Sequence, residues 1–429
     1  MNRQLPALLV LALAACSKSD SGGGTGPGPT GSLDITITAP AGVTGKVMII
    51  SPADSVITIT SAQTLNGLAP GDYRVRASAG VTADPIVGTG YTGAVTGSPA
   101  SVTAGQTASA TVTYGAPRAN AGVLWAVNYL GWNLAGFSTT DLGATGTPTP
   151  SVMIGNGTGT SSVRMPYSVA IDSVGGVWWV NQSDSIHYFT PAQLATSANA
   201  TPSRALVDPS AHTWVSVAFD PSGNLWVADS YWDNVKEFTA AQLTSGGHQT
   251  PSVTISTIVG TIDFPWAIAF DKHGDLWVVS RGDSSVVGYA PTQLQTSGAP
   301  VPFAGVSRSK GIGDAVSLAF DAQGNLWVAS LGDTIVRFTP DQLTALATPT
   351  PGVILRMPTL TGPSALAFDN SGALWVAGYD SHKLLKFTSN QLTSTGSPTP
   401  AVSVSNNVNT IYLTNSLVFS PSATNLPTP

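Results

Sequence analysis

"AFDPSGNLWVADS", residues 218–230, holds Asp220, Asn224 and Asp229 around a glycine. Three oxygen-bearing side chains in so short a stretch suggest a cation loop. Calcium-loop spacing, however, needs further oxygen ligands at alternating positions and a distal acid, and Pro221 and Leu225 supply neither. The other reading is a hairpin. Asp220 caps a tight turn, Gly223 takes a positive φ, and strands run in and out. Asp229 then begins a loop at the opposite end, beside Tyr231 and Trp232, as a candidate binding edge.

The stretch recurs, which favours the hairpin. Asp220 and Gly223 return as Asp271 and Gly274, Asp321 and Gly324, Asp369 and Gly372. A cation site seldom needs so many copies. Tryptophans in LWV-like runs fall at Trp125, Trp179, Trp226, Trp277, Trp327 and Trp375, 47–54 residues apart. An AFD-like run precedes five of them. The first has none, and a sixth copy of that run appears at the far end instead, as "NSLVFSPSATNL" from Asn415 to Leu426. A closed ring in which the last strand completes the first blade explains both facts and removes exposed edges. Residues 117–429 are therefore predicted to form a six-bladed β-propeller with 1+3 strand closure.

Each unit is expected to hold four strands. The first, "VSVAFD"-like, has one face of small residues, among them Ser168, Ala170, Ser216 and Ala218, as converging blades require. Tryptophans of the second strand are expected to pack over that face. After the third strand comes a short helical turn such as "TPAQL" at 190–194, a capping series of Thr and Gln. "AFDxxGNLWVA" repeated in this way resembles the NHL-repeat and streptogramin-lyase (virginiamycin B lyase-like) class of propellers. The resemblance is specific for fold and weak for activity.

The N-terminus addresses location. Arg3 precedes an apolar run from Leu5 to Ala15, too short to span a bilayer and typical of a signal-peptide core. It ends in Leu13-Ala14-Ala15-Cys16, which resembles the lipobox of bacterial lipoproteins. That resemblance implies cleavage after residue 15, lipidation of Cys16 and anchoring in the cell envelope, in the outer membrane if the host is Gram-negative. Residues 16–31 are a flexible Gly/Ser/Pro tether. Residues 32–115 alternate apolar and polar side chains in short runs and predict a small β-sandwich. "LNGLAPGDYRVRA" resembles sandwich domains of the carboxypeptidase-regulatory or prealbumin type. The whole is all-β, an Ig/prealbumin-like sandwich followed by the propeller.

Only 9% of the chain is charged and its net charge is −6, which argues against nucleic acid as a partner. The lone cysteine excludes an internal disulfide. The lyase family implies a histidine base and a magnesium ion near the channel, with a Glu-x-His pairing. Here the one glutamate, Glu237, is followed by Phe238 and Thr239, and no Glu-x-His exists. The Glu, Asp and Asn cation set of gluconolactonase-like propellers is not visible either. The sequence leans away from catalysis and calls for no cofactor. A divalent cation enters only under the alternative of a diverged lyase or hydrolase.

A ligand site in a propeller is expected on the loops entering strand one and those between strands two and three. There the sequence places Trp132, His212, Tyr231, Trp232, Trp266, Arg281 and Tyr379, a set suited to stacking on sugars or docking a protein, with Arg fixing carboxylates. The expectation is a monomeric, lipid-anchored propeller that binds a protein or glycan ligand.

Overall fold

The computed structural model describes residues 29–45, 47–53, 55–77, 80–82, 90–117, 123–155, 163–181, 185–210, 213–256, 261–307, 312–357, 360–405 and 410–420. Cys16 and His212 lie outside them, as do the leader and most of the tether. The chain divides into two compact units.

The first draws on residues up to Thr38, Val47–Arg76 and Ala94–Thr113. Its strand Gly31–Thr38 runs parallel to Thr107–Pro117, from Ser32↔Thr107 to Thr38↔Thr113, and antiparallel to Gln63–Leu68. A second sheet orders Val56–Ile59, Val47–Ile50, Gly71–Ala77 and Ala100–Val102. The period-two pattern puts Leu33, Ile35, Val75, Ala110 and Val112 in the core.

The second unit is a β-propeller. Six sheets follow one another, and in five of them strands one to four lie side by side in chain order. An example is Trp214–Phe219, Leu225–Asp229, Asn234–Phe238 and Val253–Ser256. The sixth closes the ring. Val123–Asn128, Asn133–Ser138 and Val152–Ile154 take their innermost strand, Thr414–Ser420, from the other end of the chain. The innermost strands neighbour one another in an unbroken cycle.

Three layers join neighbouring blades. Nearest the axis, serines of the small face reach sideways: Ser168 Oγ accepts from the Val217 amide, Ser216 Oγ from Ile268 and Ser317 Oγ from Leu366. These hydroxyls satisfy amides on the free edge of the next inner strand. Small size is thus only part of why serine stands there. In the middle layer tryptophans meet the phenylalanine that ends the inner strand of the following blade, except Trp125, whose following blade has Ile171 there. Trp226–Phe270, Trp277–Phe320, Trp327–Phe368 and Trp375–Phe419 have centroids 5.8–6.4 Å apart. These tryptophans also lie with alanines of strand one, as the sequence led us to expect. At the outer rim a parallel bridge crosses every junction. Four are isolated pairs, including Gly146↔Val404 between first and last blades, and the others are Leu206↔Gly247 and Gly305↔Leu346. A latch at each of the six junctions thus ties every outer strand to the neighbouring blade.

One sequence expectation needs correction. In the second sheet, strand register places Trp178, not Trp179, opposite Ala170, matching Ala218↔Trp226. The spacing of equivalent tryptophans narrows accordingly, to 48–53 residues. Side chains alternate along a strand, so Trp179 points the other way and stacks on His187 at 4.4 Å.

The hairpin reading of 218–230 holds, and the aspartate does more than cap. Asp220 Oδ1 accepts from the Ser222 and Asn224 amides, while Oδ2 accepts from Asn224 Nδ2 and the Trp226 indole. The same indole bond ties Trp178 to Asp172, Trp277 to Asp271, Trp327 to Asp321 and Trp375 to Asp369. The "TPAQL" glutamines also exceed expectation. Their Oε1 accepts from the N-cap amide, and their Nε2 donates to a carbonyl eight residues on, as in Gln242 to Thr250.

The closing blade lacks the indole bond. Ser420 stands where the others carry aspartate, and Trp125 Nε1 and Ser420 Oγ are both buried with no partner among the described residues. An unmade bond of a buried donor costs about 1–3 kcal/mol. Ser420→Asp is expected to raise unfolding stability by about 1 kcal/mol. The gain should vanish in a Trp125→Phe background. Equal gains in both backgrounds in a urea titration would show that no indole bond had formed.

Candidate functional site

The two ends of the propeller turn their chains differently. At the AFD end the left-handed residue of each turn is glycine: Gly175, Gly223, Gly274, Gly324 and Gly372. At the other end it is almost never glycine. All nine non-glycine residues with positive φ among the described residues lie there, between 44° and 61°. Trp132, Asp233, Ser284, Asp333 and His382 precede third strands, and Met165, Phe264, Asp314 and Leu413 precede inner strands. A bulky residue in this conformation costs about 1–2 kcal/mol where glycine would cost little. Strain of this kind concentrates at functional sites. The side chains are retained on this face in spite of it.

Several of them bond to the next blade's entry loop. Asp233 Oδ1 accepts from the Phe264 amide and Asp333 Oδ1 from Gly362, while His382 Nδ1 accepts from Leu413 and its ring lies 4.7 Å from Tyr412.

The predicted site residues sort into three groups. Trp266, Arg281 and Tyr379 gather around Tyr167, beside the central cavity. This cavity, about 230 Å³, runs between the inner strands and has Tyr167 and Trp266 in its lining. The Arg281 guanidinium lies 4.5 Å from the Trp266 ring centre. Tyr167 stands edge-on to Trp266 at 5.5 Å and to Tyr129 at 5.6 Å. Burial pushes the Tyr167 phenol well up, and Tyr379 and Tyr129 add to this against a lowering from Arg281. Tyr379 is raised by burial, by Tyr129 and by Asp380. The phenols are therefore neutral donors. Sequence reading passed over Tyr167, although it holds the strand position of Trp266, two residues before "VAI" as Trp266 is before "IAF".

Tyr231 and Trp232 form a second group, 62% and 50% exposed, edge to face at 5.1 Å. Phe264 connects them to the first group through Asp233 and through its contact with Trp266 at 5.4 Å. Beneath them lies a buried ion triad. Lys236 Nζ is 2.9 Å from Asp208 and 3.1 Å from Asp229. Asp229 also accepts from the Tyr231 and Trp232 amides, Asp208 accepts from Ser210, and the Trp232 indole donates to the Ser210 carbonyl. Burial pushes the Asp208 carboxyl up, but hydrogen bonds from Ser210 and Lys236 outweigh it and leave it below the usual range. Asp229 is thus not the binding edge that its place in the sequence suggested. It is fully buried and acts as an anchor for the exposed rings.

Trp132 stands apart, half-buried, with Arg164 over its ring at 5.6 Å. Among the described residues these loops carry Asp233, Asp263, Asp283, Asp314, Asp333 and Asp380 against Arg164 and Arg281. The face is acidic. Glu237 is buried in a third strand, bonded to Ser252 and raised by burial. No group of three or more His, Cys, Asp or Glu side chains converges as a metal site among the described residues.

No protein-family model matches the chain, and no curated protein does. Solved structures similar to it include virginiamycin B lyase from Staphylococcus aureus, at 14% identity and TM-score 0.43, covering 62% of this chain and 78% of that one. A streptogramin B lyase aligns at 13% identity and TM-score 0.45, covering 63% and 77%. A protein of unknown function from Bacteroides caccae aligns at 14% and 0.49, covering 69% and 97%. The chain's own sheet order and closing strand make it a β-propeller.

Proposed function

We propose that this chain is a lipid-anchored, monomeric, non-catalytic propeller of the bacterial cell envelope, which captures a protein or glycan ligand on its aromatic loop face. The carrying observation is the asymmetry between its ends. One end is turned economically with glycine, while the other keeps aromatic and acidic side chains at strained positions and exposes Tyr231, Trp232 and Phe264. Rigid, exposed rings supply contact area at low entropic cost, which suits capture.

Trp266 and Trp132 are half-buried, so Tyr231 and Trp232 are the better probes. Tyr231→Ser with Trp232→Ser is expected to weaken capture from envelope extract, or on a glycan array, at least about tenfold. The melting temperature should barely move, because these rings are exposed. Undiminished capture by this variant would refute the reading. Anchoring is tested separately: Cys16→Ser should move the chain from the membrane to the soluble fraction of cells.

A further inference from the structure

The ring cluster beside the cavity already holds a cation. The Arg281 guanidinium lies over the face of Trp266 at 4.5 Å. Its acidic partner is Asp314, at a long 3.8 Å and 70% exposed. Aromatic faces attract such a charge through their quadrupole, most strongly where water is excluded. Tyr167 meets Trp266 and Tyr129 at nearly right angles, 80° and 78°. Tyr379 and Tyr129 both act electrostatically on Tyr167, and Tyr129 acts on Tyr379. Two of these rings, Tyr167 and Trp266, also line the central cavity.

The surroundings point the same way. Among the described residues the loops of this face carry six aspartates against two arginines, and with Asp184, Arg308 and Lys310 counted from the sequence aspartates still outnumber cations, which favours an approaching cation over an anion. The cavity, about 230 Å³, is smaller than the sites that enclose drug-sized ligands. It suits a single head group, not a whole large molecule.

We infer that the cluster formed by Tyr129, Tyr167, Trp266 and Tyr379 is a site for an organic cation, of the alkylammonium or guanidinium kind, with Arg281 as its internal occupant. The inference rests on the binding-face reading and names its ligand chemistry. A free quaternary ammonium and a basic side chain of a protein share this chemistry, so the experiment separates them.

The full-length protein is titrated calorimetrically with choline, with its neutral isostere 3,3-dimethylbutanol, with acetate, and with a peptide bearing one arginine. Choline or the peptide is expected to bind about tenfold more tightly than the isostere, and acetate not at all. Preference for choline assigns the site to a free ammonium, and preference for the peptide to a protein side chain. Arg281→Ala should tighten cation binding several-fold by vacating the Trp266 face. Tyr167→Leu should weaken it, while Tyr167→Phe keeps it. Equal binding of choline and isostere would overturn the inference, as would loss of cation binding in Arg281→Ala or a preference for acetate. A face that takes up a neutral glycan through Tyr231 and Trp232 while ignoring both cations would also overturn it. That last result would leave the binding-face reading standing.

Discussion

Lys236→Met is expected to destabilise the propeller by about 3–5 kcal/mol, because it leaves two buried carboxylates facing each other without their counter-ion. Lys236 Nζ lies within 3.1 Å of both Asp208 and Asp229, and the three side chains are at most 5% exposed. The loss is read from the urea midpoint at constant slope. It should also loosen the loops. Ser210 hangs from Asp208, the Tyr231 and Trp232 amides hang from Asp229, and the Trp232 indole bonds back to Ser210. Trp232 fluorescence anisotropy should therefore fall even where the protein stays folded. The triple variant Lys236→Met, Asp208→Asn, Asp229→Asn separates charge from shape. It removes all three charges and retains amide oxygens to accept from the loop, so most of the stability should return. A triple variant no better than the single one would show that the loss came from packing and not from stranded charge.

The second large effect is one of pH. In two blades the residue four beyond the AFD aspartate is an asparagine that donates to it: Asn224 to Asp220 at 2.9 Å and Asn325 to Asp321 at 2.8 Å. In the fourth blade that residue is Asp275, whose amide donates to Asp271 and whose carboxyl faces that of Asp271. Burial and the neighbouring carboxylate push Asp275 up to about 7. The folded protein thus holds this proton more tightly than the unfolded chain, whose carboxyl titrates near 3.8. The stabilisation is fully present below about pH 4 and is lost as the pH rises through about 7. After discounting for partial exposure, the loss is on the order of 2 kcal/mol. Asp275→Asn supplies the donor at every pH. It should match the wild type near pH 4 and exceed it by that amount at pH 8, in paired denaturation curves. A constant difference at both pH values would rule out titration of this pair.

The repeat was legible in the sequence because its causes are local. Asp220, Gly223 and Trp226 sit within seven positions and recur with their spacing intact, so the hairpin, its turn and the ring closure could all be read from one strand of text. The face at the other end was only half legible. Counting residue types placed Trp232, Trp266, Arg281 and Tyr379 on these loops and passed over Tyr167. It also gave Trp179 the place of Trp178, since two adjacent tryptophans look alike until strand register separates them.

By itself, then, the sequence determined an all-β repeat and the closure of its ring, through period-two strands, turn glycines and an inner strand displaced to the far end. Only the tertiary structure decided that Asp229 is a buried anchor, that the loop face is strained and acidic, and that Arg281 rests on Trp266 beside Tyr167. Those facts depend on which side chains meet across blade junctions, between positions such as Tyr167 and Trp266 about a hundred residues apart. Packing fixes such meetings, and no local spacing encodes them.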